Sequence, residues 1–285
     1  KSDCEEEVVS VEEQSLPSRK STDSLPEIQN LPSSPFVVQT TSGSMWNSFG
    51  TTPIESGNKI NYLHIDQGLT LRLLPQNLQI KPYVALNAAK DTKDFLWNNK
   101  VKVETGLKLV KPFTYGSVEI GGSYAIESRS GVNTKTESGL IWFTNGWFGW
   151  DQPTQFSEES LLSALPGSFQ WVFGSLSPFE KGNTIGVAHL EQGFTLTKIK
   201  GISLIPDIWI RAGFDSQNRS WNNRYIYGGG VKVAVPWNSG VVNATGGYEC
   251  VGTHGNYDTL VLNSTCGPTF KIDIWTGWQK RSGGH

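Results

Sequence analysis

The sequence has few of the residues that usually build catalytic or metal sites. Its 285 residues include four histidines and three cysteines, scattered along the chain, so we expect neither a metal nor a metal cofactor. It has no phosphate-binding loop and no dinucleotide-binding glycine pattern, and these gaps predict that the protein uses no cofactor. Because no run of 18 apolar residues occurs, the sequence predicts no transmembrane helix.

The net charge of most of the chain is also close to zero. Residues 1–35 hold eight acidic and three basic residues, which leaves 18 acidic and 21 basic residues for the rest. A nearly neutral body argues against nucleic acid as a partner. Residues 1–40 are rich in Glu, Ser and Pro and are expected to form a disordered acidic tail, either merely solvated or an interaction segment.

What the sequence does contain is a long internal repeat. The segment from His64 to Leu71 recurs as the segment from His189 to Leu196. Asp91, with Trp-Asn-Asn at 97–99, recurs 124 residues later as Asp215, with Trp-Asn-Asn at 221–223. This spacing predicts a duplicated unit, with repeat one at 43–150, a linker at 151–166 and repeat two at 167–280.

Alternation of apolar and polar residues predicts six strands in each repeat. We place them at 43–51, 58–74, 78–90, 98–111, 116–129 and 138–150, and then at 167–176, 183–199, 203–214, 222–235, 240–251 and 268–280. Short links alternate with longer polar ones, a pattern typical of outer-membrane barrels. The linker, with a helical turn expected near 158–162, joins the repeats on the short-turn side.

Period-two alternation alone does not say whether the apolar face meets a protein core or lipid, since a soluble sheet also alternates. Three observations favour lipid: strands long enough to cross a bilayer, an even strand number that allows closure, and aromatic residues near strand ends. The aromatic residues expected in an interfacial girdle are Trp97, Trp147, Trp221, Trp237 and Trp278. The predicted fold is an all-β, 12-stranded up-and-down antiparallel transmembrane barrel built from two six-stranded repeats.

On this fold the polar face of each strand lines the lumen. The residues predicted to face the lumen and a solute are His64, Asp66, Arg72, Lys81, Lys100, Lys102, Glu104, Lys108, His189, Glu191, Arg211, Arg224 and Lys232. Such charges set ion preference in an open pore, whereas in a closed barrel they form an internal polar network. The sequence favours the network for most of them, because twelve strands leave a narrow lumen.

Two further features concern chemistry. His64 with Asp66, and His189 with Glu191, are spaced two residues apart on one strand face, as an imidazole and carboxylate pair would be. No G-x-S-x-G elbow accompanies them, so structural hydrogen bonding is favoured over catalysis, and no catalytic residue is assigned. Cys250 and Cys266 flank one loop and are expected to form a disulfide in an oxidising compartment.

Short motifs from Lys81-Pro82-Tyr83 through Asp91, Trp97-Asn98-Asn99 and Gly106 to Pro112 resemble the C-terminal barrels of exopolysaccharide export porins and related phage-adsorption outer-membrane proteins. The likeness covers residues 43–280 in architecture. It implies an outer-membrane barrel that handles saccharide polymers or oligosaccharides, with loops or the N-terminal tail meeting a phage or a periplasmic partner.

The sequence therefore predicts a bacterial outer-membrane channel or surface receptor in contact with the lipid bilayer, for saccharide or exopolysaccharide transport. Two alternatives stay open. One is an outer-membrane enzyme on a 12-stranded barrel, and the other is a soluble Trp-rich β protein that binds carbohydrate.

Overall fold

The computed structural model describes residues 36–51, 53, 57–73, 77–94, 98–130, 134–153, 164–218, 222–253 and 265–281. Side chains are described for these residues except at 36–39, 72–73, 151–153, 164, 253 and 280–281. Within this part of the chain no helix is long and apolar enough to cross a membrane. The predicted helical turn near 158–162 lies outside the described residues, as do residues 1–35 of the tail predicted to be disordered over 1–40. Residues 36–40 of that tail are instead part of a strand, because they pair in the sheet.

Extended strands account for nearly all of the described backbone. They are β1 (Phe36–Thr51), β2 (Lys59–Leu73), β3 (Leu78–Asp91), β4 (Lys100–Phe113), β5 (Gly116–Arg129), β6 (Lys135–Pro153), β7 (Ala164–Ser175), β8 (Ile185–Gly193), β9 (Thr197–Ile199), β10 (Ile202–Asp215), β11 (Arg224–Trp237), β12 (Gly240–Thr253) and β13 (Thr265–Arg281). A 3-10 turn, Pro178–Glu180, lies between β7 and β8.

The strands close into a barrel. Each strand pairs antiparallel with its neighbours along the chain, and β13 pairs with β1 to complete the ring. β8 and β9 both pair with β10 and are two parts of one barrel strand. Backbone bonds from Phe194 to Pro206 and from Leu196 to Leu204 continue the pairing between them. The result is the predicted closed, 12-stranded antiparallel barrel; among the described strands, the short β9 pairs on one side, with β10.

Predicted and observed strands differ at a few ends. β1 begins at Phe36 rather than at residue 43, because the Ser/Thr-rich stretch before residue 43 pairs with β2 although it lacks clear alternation. β6 runs to Pro153 and β7 begins at Ala164, so the linker predicted at 151–166 is shorter. Pairing between strands, rather than side-chain pattern, sets these ends.

The two rims of the barrel differ as predicted. One rim, the short-turn rim, carries tight turns, such as the two-residue turn at Lys200 and Gly201 between β9 and β10. Both residues have positive φ, 51° and 85°, as a type I′ hairpin turn requires. The opposite rim, the long-loop rim, carries the connections near 52–58, 92–99, 130–134, 176–184, 216–223 and 254–264. β1 begins and β13 ends at the short-turn rim.

The outer face of the barrel is apolar over most of its height. Exposed outward side chains include Leu69, Val84, Val101, Val103, Leu107, Leu109, Ile120, Ile126, Leu140, Leu190, Ile208, Ile210, Val231 and Val233. Aromatic rings flank this band. Phe113, Phe148 and Trp171 contact one another near the short-turn rim, and Trp142, Phe173 and Phe214 do so toward the long-loop rim. An apolar band between two aromatic girdles is the lipid-facing surface of an outer-membrane barrel.

A charge placed in this apolar band is expected to destabilise the barrel. Leu107 lies midway along β4 and is 52% exposed on the outer face. Leu107→Arg is expected to lower the free energy of unfolding by about 2 to 4 kcal/mol in a bilayer. Urea titration of the protein in lipid vesicles, followed by tryptophan fluorescence, measures this change.

The matched control is Thr136→Arg, which puts the same charge on the outer face one residue from the long-loop end of β6. A cost of about 0 to 1 kcal/mol is expected there, because charges near the interface remain hydrated. Equal costs at the two positions would contradict a lipid-facing band.

Candidate lumen site

The inner face of the barrel carries the charged residues that the sequence predicted. In the strand register Lys100, Lys102, Glu104 and Lys108 alternate with the exposed outer residues of β4. Asp66 and His64 of β2, Lys81 of β3, His189 and Glu191 of β8, Arg211 of β10, and Arg224 and Lys232 of β11 share this inner face. Arg72 is part of β2, but its side chain lies outside the described part of the structure. Alternation therefore places the described members of the set on the lumen wall.

The first group of lumen charges is centred on Asp66. Its carboxylate is 3.7 Å from the ammonium of Lys81 and 3.5 Å from that of Lys108, and it accepts a 2.5 Å hydrogen bond from Ser44. Lys108 also pairs with Glu119 at 3.0 Å. We call these five residues the Asp66 network; it links β1 through β5 across the lumen wall.

The second group is centred on Lys232 of β11. Its ammonium contacts Glu191 and lies 3.0 Å from Asp207. His189 places its Nε2 atom 3.6 Å from the other oxygen of Glu191. We call these four residues the Lys232 network; it ties β8, β10 and β11 together.

The two networks occupy matching places in the predicted repeats. Asp66 corresponds to Glu191, and Lys108 corresponds to Lys232. Each repeat brings its own acid and its own lysine into contact. Because the two residues of a pair are about 40 positions apart in the chain, only the folded sheet makes them neighbours.

The two predicted pairs of histidine and acid behave differently. His64 forms a 2.7 Å hydrogen bond with Asn87 through Nδ1, while Asp66 takes part in its own network. His189 does lie beside Glu191. The hydroxyl of Ser44 donates directly to Asp66 rather than to an imidazole, so these residues do not form the relay that a serine hydrolase needs.

A buried carboxylate organises the loop between β3 and β4 at the long-loop rim. Asp91 accepts hydrogen bonds from the side-chain amides of Asn58 at 3.0 Å, Asn98 at 2.9 Å and Asn99 at 2.9 Å. The backbone amide of Asp91 donates to the side-chain oxygen of Asn99 at 3.1 Å. All four residues are buried. This Asp91 latch satisfies the carboxylate and fixes the two loops that contain its asparagines.

The second predicted repeat contains a similar latch around Asp215. Its carboxylate accepts from Asn183 at 3.0 Å and from Asn222 at 2.5 Å, and from the backbone amide of Gln217 at 2.8 Å. The backbone amide of Asp215 donates to Asn223 at 2.7 Å. The repeated Asp and Asn-Asn motif therefore connects the loops at the long-loop rim.

One connection at the long-loop rim turns into the lumen. We call residues 176–184, between β7 and β8, the inner loop. Lys102 of β4 donates a 3.1 Å hydrogen bond to the carbonyl oxygen of Leu176, and Pro178 lies next to Gly139 on the inner face of β6. The loop therefore contacts the lumen wall on β4 and β6, two strands to which it is not joined in the chain.

Arg129 of β5 holds the inner loop most directly. Its guanidinium donates to the hydroxyl of Ser177 at 3.1 Å, lies 3.6 Å from Glu180, and stacks 4.5 Å from the ring centre of Phe179. It also pairs with Glu127 at 2.7 Å, and Glu127 is only 1% exposed. Alternation along β5 places Arg129 on the inner face, but no sequence signal identified its partners in the loop.

The other half of the lumen, near the short-turn rim, contains a cavity of about 560 Å³. Trp147 and Tyr115 line one side of it, and Glu191, Lys232 and Asn243 line another. The Lys232 network thus reaches the cavity. A volume in this range and a lining of aromatic and polar groups are typical of ligand sites.

Trp147 corrects one sequence prediction. It was expected in the interfacial girdle, but it pairs with Ser117 on the inner face of the sheet and lines the cavity. Trp237 and Trp278 do lie on the outer face near the short-turn rim, as predicted, whereas Trp97 and Trp221 fall outside the described residues. Leu140 of β6 faces outward, and Trp147 is seven residues later in the same strand. Because side chains alternate between the two faces, this odd spacing places Trp147 on the inner face.

Cys250 and Cys266 face each other directly in the register of β12 and β13. Their sulfur atoms are 2.05 Å apart, the distance of a disulfide bond. The bond joins the two strands near the long-loop rim and contacts neither lumen network. At this position the disulfide holds together the two strand ends that the loop connects.

Comparison with known proteins gives structural likeness only. No protein-family model matches the chain, and no curated protein matches it. An outer-membrane channel, COG4313, from Pseudomonas putida F1 is 10% identical, with 88% of this chain and 100% of that chain covered and a TM-score of 0.38. The KdgM porin is 9% identical; the alignment covers 82% of this chain and 98% of the porin chain, with a TM-score of 0.35. The β domain of the Bordetella autotransporter BrkA is 12% identical, with 84% and 99% covered and a TM-score of 0.36.

These scores are below 0.5, so the assignment of the protein rests on its own geometry. The sheet closes on itself through the pairing of β13 with β1, the outer face is apolar between aromatic girdles, and the inner face is charged. Only a membrane-spanning barrel combines these features, and such barrels belong to outer membranes. The chain is a bacterial outer-membrane β-barrel.

Proposed function

We propose that the barrel is a channel for polar solutes, with saccharides as the solute class. The observation that carries the proposal is the exposure of three tryptophans on the inner face. Trp46 is 39% exposed, Trp147 is 51% exposed and Trp275 is 48% exposed. In a barrel filled by its own side chains, inward rings of this size would be buried. Their exposure supports an open, water-accessible lumen.

The distribution of charge supports the same function. The Asp66 network and the Lys232 network place charged side chains of both signs along the lumen wall, and most of these side chains form ion pairs within their network. Paired charges present donors and acceptors without a strong net field, which suits a neutral polar solute better than a single ion. Exposed tryptophan rings add flat apolar surfaces of the kind that sugar rings contact. A phage or periplasmic partner for residues 1–40 stays a prediction from the sequence.

Single-channel recording tests the proposal. Full-length protein folded in detergent and inserted into a planar lipid bilayer is expected to give steady conductance steps. Insertion without conductance would overturn the channel and leave a receptor or an enzyme on the same barrel.

The charge on Lys271 should contribute to ion preference. This lumen residue is 39% exposed and pairs with Asp273 at 2.9 Å. Lys271→Glu adds a negative charge next to an existing one, so the reversal potential in a salt gradient is expected to shift toward cation preference.

Lys90→Glu is the matched control, because Lys90 is exposed on the outer side of β3 near the rim. It makes the same change of charge away from the lumen and is expected to leave the reversal potential nearly unchanged. A shift of the same size in both variants would show that Lys271 does not face the conducting path.

A further inference from the structure

The cavity near the short-turn rim has the composition of a binding site rather than of a plain passage. Trp147 presents about half of its surface to the cavity side of the lumen, and Tyr115 is exposed beside it. Glu191, Lys232 and Asn243 supply a carboxylate, an ammonium and an amide toward the same space. A flat aromatic surface facing hydrogen-bonding groups matches a ring with an apolar face and polar edges.

The charges around the cavity restrict the ligand further. Lys232 lies between two carboxylates, those of Glu191 and Asp207. The ammonium is therefore already compensated by two carboxylates and offers an anionic solute no unpaired cation. A solute carboxylate would lose water beside Glu191 without gaining an ion pair in return, and this costs free energy in a partly dehydrated site.

We infer that this cavity binds a neutral pyranose unit of an oligosaccharide, with its ring against Trp147 and its hydroxyls toward Glu191 and Asn243. Glu191 also acts as a specificity residue that disfavours uronic acids. This inference rests on the proposed function, because it places the solute site inside the conducting lumen. It assigns the site to the short-turn half of the lumen, away from the inner loop at the opposite rim.

Blocking of the ion current by maltohexaose, a neutral hexamer, tests the site. The wild-type channel is expected to show transient blocks, more frequent when the sugar enters from one side of the bilayer. Trp147→Ala is expected to raise the half-blocking concentration roughly tenfold, the equivalent of one lost aromatic contact. Trp46→Ala is the matched control, since Trp46 is a half-exposed lumen tryptophan that does not line this cavity.

A hexamer of galacturonic acid tests the role of charge. It is expected to block the wild-type channel poorly and to block Glu191→Gln more effectively. Equal block by maltohexaose in the wild type and in Trp147→Ala, or equal block of the wild type by the two hexamers, would overturn the inference.

Isothermal titration of the detergent-folded full chain separates the site from the channel. If the protein does not conduct but binds maltohexaose, and Trp147→Ala abolishes the heat, the channel proposal fails and the site stands. Conductance without detectable binding in the wild type would retain the channel and overturn the site.

Discussion

Arg129→Ala is expected to lower the free energy of unfolding by about 3 to 5 kcal/mol, the usual cost of breaking a buried ion pair from one side. Without the guanidinium, Glu127 remains almost fully buried and loses its ion-pair partner at 2.7 Å. Ser177 loses its donor, and Glu180 loses its nearest cation. Urea titration in lipid vesicles measures the loss.

Arg129→Ala is also expected to change conduction. Because Arg129 stacks on Phe179 and bonds the inner loop at two further residues, its removal should release the loop from the lumen wall. Current noise at the single-channel level is expected to increase as the loop moves. Arg129→Lys keeps the positive charge but loses the planar guanidinium that stacks on Phe179. This variant should keep most of the wild-type stability, and its current noise should lie between that of the wild type and that of Arg129→Ala.

Lys181→Ala is the control for a lost cation in the same loop. Its ion pair with Glu137 is solvated, with side chains 73% and 47% exposed, and exposed pairs contribute about 0 to 1 kcal/mol. If the two alanine variants unfold at the same urea concentration, Arg129 does not anchor the loop.

Asp91→Ala is expected to have the second large effect. The substitution removes the acceptor of three side-chain amide donors at once. A buried donor deprived of its acceptor costs about 1 to 3 kcal/mol, so the total loss should be at least ~3 kcal/mol. Hydrogen exchange should show faster opening of the ends of β3 and β4, and urea titration should give the global change.

Asp94→Asn controls for loss of negative charge in the same loop. Asp94 is exposed and has a φ of 54°, a conformation that asparagine tolerates well, so the variant should be nearly as stable as the wild type. Asp215→Ala is expected to repeat the Asp91→Ala result in the second latch. A small effect at both aspartates would show that the latches are not needed for loop order.

Sequence reasoning predicted the barrel wall closely. The ends of β5 coincide with the prediction, and those of most other strands differ by a few residues. The repeat also aligned Asp91 with Asp215, and in the structure each carboxylate accepts from an asparagine of the preceding loop and from the first asparagine of the Asn-Asn pair. This agreement supports the predicted duplication, which stays a prediction. Strand period and face were accessible because each side chain points to the side opposite its neighbour, whatever the fold around it.

The sequence by itself determined which residues form strands, which face of each strand is apolar, and hence which charges line the lumen. Tertiary structure alone decided which of those charges pair, where the inner loop lies against Arg129, and how Trp147, Glu191 and Lys232 come to share one cavity. The physical reason is the range of the interactions. Alternation acts between adjacent residues, whereas closure brings together side chains from strands that are far apart in the chain, and no local pattern records those distances.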